Sequence, residues 1–219
     1  MRQLCETYQA EIVQCPLRCN GVCNSPDTGI LPRGLHYDES PTGASAGIIV
    51  CGLNPGRSSK KEQQYCLENG NSSEALRNYY ALHSHEWPFF TRTRDFLAAL
   101  GHTGPVVWTN IAKCEATKAS KRIGFVTHPQ TFRTCANRFL SREINGCPSS
   151  WLILAIGRDA FAALAYLFPS RRILGIPHPT GAYPHFRRML LSNTSSGSNL
   201  TTRMQQYWFD EPNGSLWLS

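Results

Sequence analysis

Four short apolar runs, each closed by turn-forming residues, are the feature that most constrains the fold of this chain. They cover Gly47 to Cys51, Pro105 to Trp108, Trp151 to Ile156 and Ile173 to Ile176. Short continuous apolar runs are typical of strands that are buried on both faces of a parallel sheet. The pattern therefore predicts a central four-stranded parallel sheet.

The segments between these runs carry apolar residues at helical spacing. They include Thr91 to Leu100, Gln130 to Ile144 and Arg158 to Phe168. Alternation of strands and helices favours a three-layer α/β/α sandwich, with helices on both faces of the sheet. A length of 219 residues with 41% hydrophobic composition suits one full core, so we expect residues 1–219 to form a single domain.

The chain is basic, with 22 Lys and Arg residues against 15 Asp and Glu residues and a formal net charge of +7. This balance favours a polyanionic partner without identifying it. No apolar run reaches the roughly 18 residues of a membrane span, and residues 1–13 have no signal-peptide pattern. We therefore expect a soluble cytoplasmic protein that is monomeric and has no membrane partner.

Nine cysteines are an odd number, which argues against a fully paired disulfide framework. In a reducing compartment, such cysteines more often bind metal or serve catalysis. Five of them form an early group and a middle pair, namely Cys15, Cys19 and Cys23, and Cys114 and Cys135. Four thiolates from these groups match the ligand number of a zinc site and of an iron–sulfur cluster alike. We expect the remaining four to be structural, namely Cys5, Cys51, Cys66 and Cys147.

Polar residues follow the first and the fourth apolar run, where each predicted strand ends. The first run leads into Gly52-Leu53-Asn54-Pro55-Gly56, and the fourth leads to His178-Pro179. Because the carboxyl ends of parallel strands lie along one edge of a sheet, we expect both segments to face one pocket. Taken alone, Asn-Pro-Gly is more often only a tight turn, and a His before Pro is more often an ordinary loop residue.

Two further segments place amide and aromatic side chains near strand and helix ends. Residues 107–114 read Val-Trp-Thr-Asn-Ile-Ala-Lys-Cys and follow the second run, and Trp87-Pro88-Phe89-Phe90 precedes a predicted helix. In the order in which they occur, these segments resemble the uracil-DNA glycosylase superfamily. Gly52 to Gly56 resembles its motif A, His178-Pro179 resembles its motif B, and residues 109–114 are similar to the Thr-Asn-x-x-Lys-Cys stretch of family 4 enzymes.

The resemblance implies two catalytic residues. Asn54 would hold and polarise the water that attacks the deoxyribose anomeric carbon, because an oxocarbenium-like sugar needs an oriented water more than a deprotonated one. His178 would donate a hydrogen bond to uracil O2 as negative charge develops on the leaving base. With Asn at this position, motif A is similar to that of the mismatch-specific and single-strand-selective uracil glycosylases, which also have Asn there.

The resemblance also implies the residues that bind the base. Asn110 would read the uracil amide edge, Phe89 would stack on the flipped base with Phe90 buried behind it, and Gly52 and Leu53 would line the site. Iron–sulfur families 4 and 5 commonly have an acidic or small residue in motif A. Leu53 cannot activate water, so a mechanism that relies on a Glu there is not carried over.

One [4Fe-4S] cluster bound by two early and two middle cysteines is implied as the cofactor, with zinc as the alternative. Cys114 and Cys135 fit the middle pair. The early pair departs from the usual Cys-x-x-Cys and is two of Cys15, Cys19 and Cys23.

DNA contacts are expected from cationic and aromatic residues outside the base site. Residues 118–124 form a basic loop that resembles the insertion of the uracil-crosslinking branch, but Gly124 stands after Ile123 and His128 lies farther along. Tyr183 or Phe186 would act as a wedge in the vacated base stack, and cations would contact phosphates. The candidate DNA-binding residues are Arg57, Ser58, Lys121, Arg122, Tyr183 and Arg187.

The sequence thus predicts a monofunctional DNA glycosylase that excises a deaminated base, chiefly uracil, in base excision repair. An alternative within the same fold is a nucleic-acid-binding module that is catalytically impaired or that crosslinks to uracil. A third hypothesis is a hydrolase that acts on another substrate and is stabilised by a structural zinc ion. The base accepted and the preference for single-stranded or duplex DNA stay open at this point.

Overall fold

The computed structural model describes residues 1–44, 46–117, 128–181, 184, 186–187 and 214–218. The helices in this part of the chain are α1 Arg2–Val13, α2 Lys60–Glu68, α3 Ser73–His83, α4 Pro88–Ala99, α5 Pro129–Cys135, α6 Ser141–Gly146 and α7 Arg158–Leu167. The strands are β1 Val22–Cys23, β2 His36–Asp38, β3 Ile48–Gly52, β4 Val106–Asn110, β5 Glu115–Ala116, β6 Leu152–Ile156, β7 Arg172–Ile176 and β8 Gly214–Trp217. A 3-10 turn covers Pro26–Thr28, and a π-helical segment, Ala136–Leu140, joins α5 to α6.

The larger sheet has six strands in the order β2-β4-β3-β6-β7-β8. Strands β3, β6, β7 and β8 run parallel, with Val50 opposite Leu154 and Leu154 opposite Leu174. All four predicted strands are present as β3, β4, β6 and β7, and the predicted α/β sandwich is confirmed. The predicted strand number was wrong, because β2 and β8 extend the sheet at its two edges.

The helices that were predicted from spacing are also present. Residues 91–100 correspond to α4, which begins earlier because Pro88 occupies its first turn, where a missing N–H costs nothing. Residues 130–144 and 158–168 correspond to the helical stretch from α5 to α6 and to α7. No helix among the described residues is long and apolar enough to cross a membrane.

The chain divides into two compact units that are each discontinuous in sequence. The first unit comprises Met1–Tyr37, Gly52–His83 and Val107–Pro148. The second unit comprises Asp38–Cys51, Ser84–Val106 and Ser149–Ser219.

The first unit contains the early and middle cysteines and the turn after β3. A small core packs Val13 from the end of α1 against Leu31, Cys66 and Leu76. An antiparallel ribbon pairs β1 with β5, with Val22 opposite Ala116 and Cys23 opposite Glu115. Helix α2 begins at Ser59, whose Oγ accepts a hydrogen bond from the Glu62 N–H at 3.0 Å, as expected of an N-terminal cap.

The second unit is built on strands that are buried on both faces. All five residues of β6 are buried, and so are the last four of β7. Helix α7 and β8 pack tightly on β7, because a Cβ atom on Gly175 would lie 2.4 Å from the Trp217 ring and 2.6 Å from the Phe161 ring. This rigid frame ends at Ile176, two residues before His178.

Candidate active site and cysteine cluster

The turn after β3 is pinned by backbone hydrogen bonds in the first unit. The N–H groups of Ile111 and Ala112 donate to the carbonyls of Gly52 and Leu53, both at 2.9 Å. Gly52 is buried, and a Cβ atom added to it would lie 2.6 Å from Asn110 Oδ1. Only glycine leaves room for that amide. Three predicted substrate-binding residues, Gly52, Leu53 and Asn110, are therefore brought together.

Asn54 follows in the same turn and is half-buried. Its Nδ2 donates a hydrogen bond to the Pro55 carbonyl at 3.1 Å. This bond fixes the side-chain amide and makes Oδ1 the atom that can accept a hydrogen bond from water. The arrangement suits a residue that orients water rather than one that removes a proton.

A buried ion network stands directly behind this turn. Arg33 Nη1 contacts Glu62 Oε1 at 2.9 Å, and Arg33 Nη2 contacts Glu115 Oε2 at 2.5 Å and the Gly56 carbonyl at 2.6 Å. Burial raises the pKa of Glu62 although the Arg33 charge lowers it, and Glu115 adds to the rise. Sequence reasoning missed this network, because nothing local marks an Arg and two Glu residues as buried partners.

Glu115 also binds the loop that follows the turn. Its Oε2 accepts hydrogen bonds from the Ser58 N–H at 2.6 Å and from Ser58 Oγ at 2.9 Å. Both Ser58 donors are thus engaged by a carboxylate of the protein. A phosphate contact at Ser58, which was expected from the sequence, stays a prediction and requires these donors to change partner.

Lys113 holds the end of β4, where Asn110 lies. Its side chain is 1% exposed, and its Nζ donates to the Asn110 carbonyl at 2.6 Å, to Thr109 Oγ1 at 2.9 Å and to Glu143 Oε2 at 2.6 Å. Thr109 Oγ1 in turn donates to the same Glu143 oxygen at 2.6 Å. The sequence motif contained Lys113, but only the fold assigns it this contact.

In the second unit, Phe89 and His178 lie side by side. Their ring centroids are 5.7 Å apart, and the rings are tilted by 43°. Phe89 is half-buried, while Phe90 behind it is 8% exposed, as was expected for a platform and its support. Arg92 on α4 donates to the Pro179 carbonyl at 2.9 Å, which ties the helix to the His-Pro turn. Arg92 had no sequence signal.

The hydrogen bonds of His178 assign its tautomer. Nδ1 faces the N–H groups of Thr180 and Gly181, both at 3.2 Å, and the Thr180 hydroxyl at 3.0 Å. An atom that accepts from two N–H groups carries no proton, so the proton of the neutral ring lies on Nε2. Burial lowers the pKa of His178, which keeps the ring neutral near pH 7. His178 therefore presents a neutral Nε2–H donor.

Four cysteines of the first unit share one electrostatic neighbourhood. Burial raises the pKa of the Cys114 thiol, and the charges of Cys135, Cys15 and Cys19 raise it further. Burial likewise raises the pKa of Cys135 against a backbone hydrogen bond from Lys113, and Cys19 and Cys15 again contribute. The pKa of Cys23 is raised by burial and then by Glu115, not by another cysteine. No other cysteine contributes to the shift of Cys23, although the β1–β5 ribbon pairs Cys23 with Glu115, the residue after Cys114.

Local structure returns the segment with the early cysteines to the neighbourhood of Cys114. The β1–β5 ribbon returns the chain to the residue that follows Cys114. Asn24 Nδ2 donates to the Cys15 carbonyl at 2.9 Å and to the Leu17 carbonyl at 3.2 Å, which closes the cysteine loop. Among the described residues, no group of three or more His, Cys, Asp or Glu side chains converges as ligands of a single metal ion.

A family model described as Uracil DNA glycosylase superfamily matches residues 40–209 of this chain. The chain belongs to the uracil-DNA glycosylase superfamily. Comparison with curated individual proteins finds no match. The matched region contains the turn after β3, Asn110, His178 and the middle cysteines, and it begins after the early cysteines. Membership indicates a uracil-DNA glycosylase-like hydrolase of base excision repair that acts on DNA.

The candidate DNA-binding residues differ in exposure, and some of them lie outside the described part of the chain. Arg57 and Arg187 are exposed, as phosphate contacts require. Phe186 is fully buried and packs against Phe96 with ring centroids 6.0 Å apart, so its interpretation as a wedge was wrong. Lys121, Arg122 and Tyr183 lie outside the described residues. The cysteines expected to be structural are all buried, namely Cys5, Cys51, Cys66 and Cys147.

Proposed function

We propose that this superfamily member is a monofunctional DNA glycosylase that excises uracil from DNA by hydrolysis of the N-glycosidic bond. The observation that carries the proposal is the His178 ring beside the Phe89 ring, with Nδ1 accepting hydrogen bonds from the N–H groups of Thr180 and Gly181, which leaves Nε2–H as the donor. A departing uracil develops negative charge on O2, and a fixed donor at that oxygen stabilises the transition state more than the ground state. A neutral donor does so without first having to be protonated.

The sugar side of the reaction is assigned to Asn54. Cleavage through an oxocarbenium-like sugar creates a strong electrophile, which a weakly activated water can attack once it is held in place. Oδ1 of Asn54 accepts a hydrogen bond from that water, while the bond from Nδ2 to Pro55 keeps the amide fixed. The base leaves as an anion with the electron pair of the glycosidic bond, the water supplies the hydroxyl of the abasic sugar, and the proton that this water releases to solvent balances protonation of the uracil anion.

Recognition of the base is assigned to Asn110 and Phe89. In the orientation in which Nδ2 donates to O4 and Oδ1 accepts from N3–H, a side-chain amide matches the uracil edge and not the cytosine edge. The Asn110 side-chain amide packs on Gly52, and Lys113 Nζ donates to the Asn110 backbone carbonyl, so both side chain and backbone of Asn110 are held in place. Phe89 stacks on the flipped base and is worth about 1–3 kcal/mol by comparison with other stacked bases.

A [4Fe-4S] cluster is the cofactor that we propose, with Cys15, Cys19, Cys114 and Cys135 as its ligands. Their mutual electrostatic effects support this choice of four and leave Cys23 as the spare cysteine. Four cysteine thiolates are the usual ligands of such a cluster, and these four side chains would hold it. When bound, the cluster crosslinks the early loop to the middle pair and stabilises the fold.

A glycosylase assay tests the proposal. The parent protein is offered uracil, hypoxanthine and xanthine in single-stranded and duplex oligonucleotides, and the His178→Ala and Asn54→Ala variants are compared on the best substrate. Each variant should lose about 10²-fold or more in single-turnover rate, with DNA binding nearly unchanged. The double variant should lose less than the product of the single losses, because both residues serve one transition state.

A matched control is His85→Ala, which removes a histidine whose side chain is 67% exposed. If both active-site variants retain excision within about threefold of the parent, the assigned residues are not the catalysts. Binding of uracil DNA by a parent that excises no base would instead identify a nucleic-acid-binding module, which is the second reading of the altered motif at Leu53.

A further inference from the structure

We propose that Arg33 and Glu115 are positioning residues that hold the loop carrying Asn54 on the segment that carries Cys114. The loop in question is residues 53–59, here called the catalytic loop. The inference deepens the proposed function and rests on it for the role of Asn54. Neither residue touches the reacting atoms, so both act through the loop.

Arg33 fastens the catalytic loop to the cysteine segment from one side. Its backbone N–H donates to the Lys113 carbonyl at 2.6 Å, next to Cys114. Its Nη2 donates to the Gly56 carbonyl at 2.6 Å, two residues after Asn54. Because Pro55 stiffens the intervening backbone, the position of Gly56 largely decides that of Asn54.

Glu115 fastens the loop from the other side. It follows Cys114 directly, and the β1–β5 ribbon sets it opposite Cys23. Its Oε2 accepts from the Ser58 N–H, from Ser58 Oγ and from Arg33 Nη2, at 2.6, 2.9 and 2.5 Å. Three donors on one carboxylate oxygen fix the far end of the catalytic loop.

The composition of this network favours positioning over simple stabilisation. One guanidinium faces two carboxylates, Glu62 and Glu115, and the side chains of all three are at most 8% exposed. The Nε atom of Arg33 is buried and has no hydrogen-bond partner among the described residues. Buried ion networks of this kind are often no more stable than apolar replacements. Their contribution lies in the single geometry that they impose.

The first arm of the test is kinetic. Arg33→Lys keeps the charge but cannot bridge Gly56, Glu62 and Glu115 at once. Glu115→Gln keeps an acceptor for Ser58 but loses the charge pair. Each should lower the single-turnover excision rate at saturating DNA about tenfold or more and leave DNA affinity within about twofold, since small misplacements of a catalytic group are costly. Iron content should stay at the parent level.

If Arg33 acts by positioning Asn54, the rate loss caused by Arg33→Lys should depend on the presence of Asn54. A general loss of structure would lower the rate whether or not Asn54 is present. In an Asn54→Ala background, Arg33→Lys should cost less than about threefold, because the group that it positions is already gone. The matched control is the exposed pair of Arg142 and Glu11, whose contacts are 2.6 and 3.1 Å. Arg142→Lys and Glu11→Gln should leave the rate unchanged in both backgrounds. Equal losses for Arg33→Lys with and without Asn54 would overturn the proposal.

The second arm needs no catalysis and decides the outcome if the parent excises no base. Amide hydrogen exchange of peptides that cover residues 53–59 is compared between the parent, Glu115→Ala and Glu115→Gln. Loss of the acceptor in Glu115→Ala should speed exchange at Ser58 about tenfold or more, with a smaller effect in Glu115→Gln. Peptides of β6 should not change. Unchanged exchange at Ser58 would overturn the positioning role, and an inactive parent with faster exchange would overturn only the proposed function.

Discussion

The rings of His178 and Phe89 lie 5.7 Å apart between centroids, although one residue follows β7 and the other begins α4. The bond from Arg92 to the Pro179 carbonyl ties the same two segments. The proposed donor to the leaving base and the proposed stacking platform are therefore held as one pair. Changes at Phe89 should affect base binding, and changes at His178 should affect bond cleavage.

Phe89→Ala should weaken base excision by about 10-fold or more, because stacking on a base is worth about 1–3 kcal/mol. The loss should appear at low substrate concentration, as an increase in KM, while Phe89→Tyr should retain most of the activity. Steady-state kinetics on a uracil oligonucleotide measure the effect. Tyr166→Ala is the control, since Tyr166 is 86% exposed on α7. A loss confined to kcat would contradict the stacking role.

Excision should decline on the acid side of the pH profile as His178 becomes protonated. Burial lowers the pKa of His178 below the ordinary value of about 6.5, so the active neutral ring persists through neutral pH and is lost only below that. A proton on Nδ1 would also face the N–H groups of Thr180 and Gly181. The kcat/KM profile between about pH 4.5 and 8 measures this.

The same pKa shift predicts a stability change. Below pH about 6.5 the unfolded chain binds a proton at His178 that the folded chain does not bind, so the free energy of unfolding falls as the pH drops toward the folded pKa. Denaturant unfolding at two pH values should therefore show a larger acid loss in the parent than in His178→Ala. An equal loss of unfolding free energy in both proteins would mean that His178 is not the cause of the acid destabilisation.

Iron content should distinguish the four proposed cluster ligands from the spare cysteine. Cys15→Ser, Cys19→Ser, Cys114→Ser and Cys135→Ser should each lose iron and solubility, because the cluster joins distant segments of the fold. Cys23→Ser should keep about four irons per chain and the brown absorbance of an anaerobically purified parent. Stoichiometric zinc in the parent, or loss of iron in Cys23→Ser, would contradict the assignment.

The strands were predictable from the sequence because burial on both faces leaves an uninterrupted apolar run, as in Leu152–Ile156. Strand β2 was not, since its three residues, His36–Asp38, are only partly buried. The aromatic character of Phe186 suggested a wedge, but its burial depends on Phe96, which is distant in sequence. Local patterns carry no information on such contacts.

The residues of the candidate site also fall into two groups, those that a local sequence pattern marks and those that it does not. The placement of Asn54, Asn110 and His178 at strand ends could be predicted, because each stands at the end of an apolar run, where polar residues are conspicuous. The choice among Cys15, Cys19 and Cys23 could not be made from their even spacing, because it depends on which of these thiols the folded chain brings near Cys114 and Cys135. The role of Arg33 could not be predicted for another reason, since a buried Arg is recognisable only once its partners are known.

Lys113 and Glu143 form a buried ion pair. Substitution of Lys113 should lower the free energy of unfolding more than substitution of Glu143. Lys113→Met leaves the Glu143 carboxylate buried without its cation, with Oε1 already lacking a hydrogen-bond partner among the described residues. Breaking one side of such a pair typically costs about 3–5 kcal/mol of unfolding free energy. Glu143→Gln keeps the acceptor for Thr109 and should cost less.

The double variant Lys113→Met with Glu143→Leu should recover part of the stability lost in Lys113→Met, because no buried charge is then left unpaired. It should not recover excision, since the hydrogen bond from Lys113 Nζ to the Asn110 carbonyl is still absent. Denaturant unfolding and single-turnover excision on the same preparations separate the two effects. A double variant that is no more stable than Lys113→Met would mean that the unpaired Glu143 carboxylate is not the source of the lost stability, and recovery of full excision would mean that Lys113 does not position Asn110.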